Sequence, residues 1–129
     1  MMQRVSALII KDKKLLLVSA ERHNIFWTPG GRLDKGESLE DGLKRELKEE
    51  LSIELISADK YFECDYLRED IKIMNHETSY FVEFKGSIKP SLEVDKIIWI
   101  SKNDFEMNKF NLTKDAINII KKLIHDNYL

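Results

Sequence analysis

A chain of 129 residues, 43% hydrophobic and 34% charged, is globular in composition and long enough to bury a core, so one domain spanning 1–129 is expected. Its formal net charge of −2 argues against stable nucleic-acid binding, which asks for a basic face, and a lone cysteine, Cys64, rules out an intrachain disulfide. No apolar run is long enough to span a membrane and no signal-peptide pattern opens the chain, so a cytoplasmic protein is expected.

Residues 5–10 are apolar and read as a strand. Residues 11–14 form a polar turn, and 15–18 return as a second strand, a hairpin buried on both faces. Residues 21–24 are a polar loop in which His23 is expected to be solvated. Phe26 and Trp27 make a short strand, and Trp27 is expected in the core rather than stacked on a base. Pro29, Gly30 and Gly31 then read as a sharp turn presenting carbonyls outward. A helix follows to Leu51, with Ser38 as its N-cap and Asp41 three residues on in capping-box position. Residues 53–66 read as one strand or two short ones, with Cys64 half-buried on it. A charged turn over 67–72 leads to a strand over 72–88, clearest at 79–84, with Asn75, His76 and Glu77 as a polar insert. Residues 88–91 break the pattern, and an acidic loop enters a strand at 93–100. One short turn of helix fits 102–105. Thr113 caps a last helix whose apolar stripe is Ala116, Ile119, Ile120, Leu123 and Ile124. Lys122 and His125 stand near its C-terminus, where positive charge is favourable. This order of elements predicts an α+β fold around a mixed sheet.

The chemistry concentrates in residues 30–53. Residues 34–54 carry eight acids and four bases. Glu46, Glu49 and Glu50 stand at i, i+3 and i+4 and share one helix face, beside a face defined by Leu43, Leu47 and Leu51. Three like charges there repel, by a few tenths of a kcal/mol per close pair, and a hard cation would reverse the sign. Oxygen donors with no His or Cys nearby suit Mg²⁺ or Mn²⁺. An acidic site that meets an anionic substrate needs such a bridging cation. Gly42 lies on the carboxylate face, at a cost of about 1 kcal/mol against alanine. Its missing side chain would admit a loop or a phosphate. Arg45 precedes Glu49 by four residues and can pair with it.

This stretch resembles the Nudix box, whose pattern is matched at Gly31, Glu37, Arg45, Glu46, Leu47, Glu49, Glu50 and Ile53. Ser52 departs from it, standing where the family has a glycine that ends the helix with positive φ. The resemblance implies an α/β/α sandwich with a mixed β-sheet and an enzyme hydrolysing a nucleoside diphosphate linked to another group. It implies that Glu49 and Glu50 bind metal, that Glu46 binds metal or acts as general base, and that the Gly30 carbonyl is a further ligand. Arg45 would be structural, pairing with Glu37 and steadying Glu49, with Gly31 and Gly42 supporting the site. An additional late-loop acid would come from Glu93, Asp95 or Glu77. No proline follows the box until Pro90, which disfavours the ADP-ribose branch, and no coenzyme-A-type signature appears upstream. A MutT-like nucleoside triphosphate pyrophosphohydrolase is the first expectation. Dinucleoside polyphosphates and nucleotide sugars come next. The rivals are a catalytically silent nucleotide-binding domain and a plain salt-bridged surface helix. Partner expectations are a nucleotide-type small molecule and no membrane, with a homodimer left open.

Overall fold

The computed structural model describes residues 1–20, 24–91 and 93–129, so the His23 expectation lies outside the described residues. Two sheets form the middle layer. In the first, β1 (Met2–Leu8) runs antiparallel to β4 (Gly30–Arg32) and parallel to β6 (Ile73–Lys85). Strand β5 (Glu54–Arg68) closes that sheet antiparallel to β6. The second sheet is antiparallel, in the order β2 (Ile10–Lys11), β3 (Lys14–Ser19), β7 (Lys96–Ser101). The parallel β1–β6 pair is what makes the first sheet mixed.

Alternation along the strands builds the outer layers. Val5 and Ala7 of β1 and Leu16 and Val18 of β3 pack with Leu43, Leu47 and Leu51 of α1 (Leu39–Leu51). Leu8, Leu15 and Leu17 pack with Ile119, Ile120 and Leu123 of α3 (Lys114–His125). The continuous apolar runs of β1 and β3 therefore serve two cores, one under each helix. Each Val, Leu or Ile among them, fully buried, contributes about 1.5–3 kcal/mol. A short α2 (Lys102–Glu106) follows β7 and is opened by a capping box of Ser101 and Asp104. Ser38 Oγ accepts from the Asp41 N–H at the start of α1, and Thr113 caps α3 in the same way through Ala116.

Four boundaries differ from the sequence reading. β1 begins at Met2, because its ladder from Met2–Asn75 to Leu8–Phe81 is made by backbone and does not need apolar side chains. The hairpin turns at Asp12 and Lys13, both left-handed at φ 52° and 59°, the pair a two-residue connection asks for. Phe26 and Trp27 form only single bridges, to Leu112 and Val18. Asn75, His76 and Glu77 are not an insert but lie mid-strand in β6, held on both sides by β1 and β5.

Ser52 ends α1 at φ 60°, ψ 31°, with its N–H turned back to the Leu47 and Lys48 carbonyls. The left-handed stop is therefore kept with a side chain that disfavours it. Ser52→Gly should raise stability by about 0.5–1 kcal/mol, read as a higher midpoint in thermal denaturation. A lower midpoint would show that the serine side chain contributes more than its backbone strain costs.

Candidate active site

Arg45 is the hub. Its Nε donates to Glu37 Oε2 and its Nη2 to Glu37 Oε1, both at 2.9 Å, a two-pronged pair that only a planar guanidinium makes. Nη1 reaches Glu46 Oε1 at 2.9 Å and Glu49 Oε2 at 3.4 Å. Nη2 also donates to the Arg32 carbonyl at 3.2 Å, and Asp34 Oδ2 lies 3.3 Å from Nε. Asp34 and the Arg32 carbonyl escaped the sequence reading, since neither sits at helical spacing from Arg45. The Arg45 hydrogen bonds hold the Glu37 carboxyl down at about 2, so Glu37 stays ionised until strongly acid pH.

Glu50 has a different environment. It is 4% exposed, and the Gly30 N–H points at both its oxygens at 3.3 Å. Burial, and next the charge of Glu46, push its carboxyl up to about 9. The three acids at i, i+3 and i+4 thus escape mutual repulsion without a cation. Glu46 and Glu49 lean on Arg45, and Glu50 holds a proton at neutral pH.

The glycines are explained by what surrounds them. Gly30 has φ 144°, and a Cβ there would meet the Val5 carbonyl oxygen at 2.0 Å. Gly30 and Gly31 are strand residues of β4, not the turn the sequence suggested, because β1 supplies a ladder that the local sequence does not reveal. A Cβ on Gly31 would sit 2.7 Å from Glu46 Oε1. One on Gly42 would sit 2.2 Å from Leu33 Cδ2, so the bulk missing there admits the loop side chain Leu33.

The donor set of Glu46, Glu49 and Glu50 is hard oxygen and fits Mg²⁺ or Mn²⁺ chemically. Among the described residues no three His, Cys, Asp or Glu side chains stand clustered as a metal cage, and two of these acids are bonded to Arg45 instead. The contact that Gly30 gives the site here is its N–H. Of the late-loop acids, Glu93 is exposed yet its charge acts on Glu50. It is brought there by Ser91, whose N–H donates to the Glu50 carbonyl at 3.1 Å. Asp95 is exposed just before β7. Glu77 is 3% exposed, and its charged neighbours are Asp115 and Arg4 rather than the α1 acids. As a strand residue in β6 it is no loop acid, which corrects the sequence expectation. Cys64 is half-buried on β5 with its thiol pushed up to about 11, as its unreactive reading requires.

A cavity of about 520 Å³ opens where β1, β5 and the N-terminus of α3 meet, lined by residues that include Arg4, Trp27, Tyr66, Lys114 and Asp115. Alternation places the Arg4 side chain on the opposite face of β1 from Val5, which packs under α1. Trp27 lines the cavity and stands three residues before Gly30 in the chain. The cavity walls come from separate segments of the chain, and no local spacing announces them.

A family profile described as NUDIX domain matches residues 1–123. The chain is 27% identical over 110 residues to the Bacillus subtilis (strain 168) protein named uncharacterized Nudix hydrolase YvcI, covering 81% of this chain and 70% of that one. It superposes on a MutT NUDIX hydrolase from Burkholderia pseudomallei with TM-score 0.76 at 23% identity, covering 89% of this chain and 92% of that one. The solution structure of the E. coli ORF135 protein matches with TM-score 0.73 at 25% identity, covering 96% and 89%.

Proposed function

We propose, from the premise that this chain belongs to the Nudix hydrolase family, that it is a MutT-like pyrophosphohydrolase of nucleoside triphosphates. Nudix hydrolases act on diphosphate-containing substrates, and that coarser activity comes with membership. The observation that supports an active hydrolase is the set of box side chains in one network. Arg45 binds Glu37, Glu46 and Glu49, while Glu50 is seated against Gly30 on the preceding strand β4.

In this reading water attacks phosphorus, the new P–O bond forms, and the bond to the leaving phosphate oxygen breaks. Mg²⁺ held by Glu49, Glu50 and Glu46 would supply positive charge for the diphosphate and make the water more acidic. Glu46 is the candidate to take the proton from that water, and its bond to Arg45 fixes where its carboxylate can reach. Glu37 holds the guanidinium from the far side, so Arg45 cannot swing away from the acids. Glu93 would join them from the loop before β7, a role its effect on Glu50 supports. The cavity beside Trp27 takes the nucleoside end while the phosphates follow the β4 edge toward α1.

Steady-state assay of the purified protein with Mg²⁺ against (d)NTPs, ADP-ribose, dinucleoside polyphosphates and nucleotide sugars tests the substrate class. Release of pyrophosphate from (d)NTPs carrying one solvent oxygen, read by mass spectrometry in ¹⁸O water, is the expected result. Preferred turnover of any other class removes the MutT-like reading. Nucleotide binding without turnover on the whole panel establishes the silent domain instead.

Divalent metal should also raise the melting temperature. Saturation at 100 times Kd adds about 2.7 kcal/mol if the ion binds only the folded chain. Part of that is lost here, because the ion must displace a proton from Glu50. The gain should therefore grow as pH rises from 6 to 9. A gain independent of pH would show that Glu50 is either not a ligand or already ionised in the metal-free fold.

A further inference from the structure

The last carbonyls of a helix have no partner within it, and those of α1 find theirs in a segment outside the box. Ser52 turns its N–H back to Leu47 and Lys48. The next two donors come from the loop after β6. The Lys89 N–H donates to the Leu51 carbonyl at 2.9 Å, and the Ser91 N–H donates to the Glu50 carbonyl at 3.1 Å. Pro90, which has no N–H to give, stands between them. The Ser91 side chain acts in the other direction. Its Oγ accepts from the Glu93 N–H at 3.1 Å and from the Val94 N–H at 3.2 Å. A hydroxyl placed two and three residues ahead of its donors closes a local turn, as it does at a helix N-cap. Val94 is buried in the core under α1, and Ile88 packs against that same core. Glu93 is exposed between these two anchors. Glu50 in turn is seated on the Gly30 N–H. One string of contacts therefore runs from β4 through Glu50 and Ser91 to the backbone of Glu93.

We propose that Ser91 is the positioning residue that sets where the Glu93 carboxylate stands relative to the acids of α1. This rests on the hydrolase reading given above, with Glu93 acting beside Glu46, Glu49 and Glu50. An exposed glutamate samples many rotamers, and a fixed backbone beneath it narrows the region its carboxylate covers. Removal of the Ser91 hydroxyl leaves the Glu93 charge in place. It frees two backbone N–H groups to water and lets the turn open, so the carboxylate stands less often where a cation would meet it. Ser91 touches neither metal nor substrate in this arrangement, and its whole effect passes through Glu93.

A double-mutant cycle separates that path from general stabilisation. The probe is Mn²⁺ alone, titrated calorimetrically into the full chain, with (d)NTP turnover measured beside it. Glu93→Gln should weaken Mn²⁺ binding and lower kcat. Ser91→Ala should do the same to a smaller degree, roughly five- to tenfold in kcat with KM little changed. Ser91→Thr keeps the hydroxyl and should recover most of that loss. In the Glu93→Gln background Ser91→Ala should have no further effect on either quantity. Circular dichroism checks that each variant folds. Ser91→Cys, a weak acceptor of similar volume, carries the test if Ser91→Ala does not fold. Equal losses in both backgrounds would make Ser91 merely structural and overturn the proposal. So would Mn²⁺ binding and turnover at wild-type levels in Ser91→Ala or in Glu93→Gln, or no Mn²⁺ binding at millimolar concentration. Absence of turnover on every substrate would remove the hydrolase reading, and the Mn²⁺ cycle would still decide whether Ser91 acts through Glu93.

Discussion

Glu50→Gln should lose most turnover and gain stability at once. Glutamine keeps the shape and an oxygen for the Gly30 N–H but removes the charge that holds a cation against the phosphate. Loss of such an electrostatic stabiliser costs on the order of 100-fold or more in kcat. The stability change has the opposite sign. Burial and then Glu46 push the folded carboxyl up to about 9, against 4.5 for the free side chain. Below about 4.5 both folded and unfolded chains keep the proton. Between the two values only the folded chain keeps it, so metal-free stability declines as pH rises and the loss is complete above about 9. The variant has no such slope. At pH 7–8 without metal it should exceed the wild type by roughly 1–3 kcal/mol, the scale for a buried charge left short of partners. Urea denaturation at pH 5 and pH 8 measures this. A variant with wild-type turnover would remove α1 from the active site. One with wild-type pH dependence of stability would show that Glu50 is ionised when buried.

Gly30→Ala should be the most damaging single-methyl change in the chain. The added Cβ would overlap the Val5 carbonyl oxygen at 2.0 Å and approach Ser6 Cα at 2.8 Å, both backbone atoms of a central strand. At φ 144° an alanine is strained before any clash is counted. Relief requires β4 to move off β1, which withdraws the Gly30 N–H from Glu50. A loss of at least about 3 kcal/mol is expected, together with loss of activity beyond what the remaining folded fraction explains. Gly36→Ala is the control. It also has positive φ, 79°, but nothing within 4 Å of the added atom, so it should cost only about 1 kcal/mol and leave kcat unchanged. Equal melting temperatures for the two variants would show that the β1–β4 contact yields more easily than its geometry implies.

Helix α1 was legible because its signals are local. A serine cap, leucines at a four-residue repeat and acids at i, i+3 and i+4 each act within a turn or two of the chain. Strand β4 was not legible, since two glycines after a proline read as a turn unless β1 is known to lie alongside. The reason for Gly42 was half visible. A vacancy on the carboxylate face could be inferred from spacing, but Leu33 as its occupant could not. Glu50 shows the same limit in energy. Spacing predicts repulsion among three acids, yet the relief comes from burial that protonates one and from Arg45, which binds the other two. Asn75 and Glu77 were read as an insert because the strand that pairs with them, β1 from Met2 to Arg4, lies more than seventy residues earlier in the chain.

The parallel ladder between β1 and β6 also governs how the molecule assembles. Ser6 and Ser79 share a hydrogen bond across 73 residues of sequence, and every pairing in that ladder spans the same gap. No tight turn can bring these strands together, so β1 waits as an unpaired, apolar segment until both edges of its place in the sheet exist. The entropy of closing that loop must be met before the ladder returns any energy. Nucleation therefore falls to the neighbouring elements that meet early, the β5–β6 hairpin and the β2–β3 turn. Loop-closure entropy thus predicts that β1 pairs late, and φ-values near zero for substitutions in β1 are the expected result.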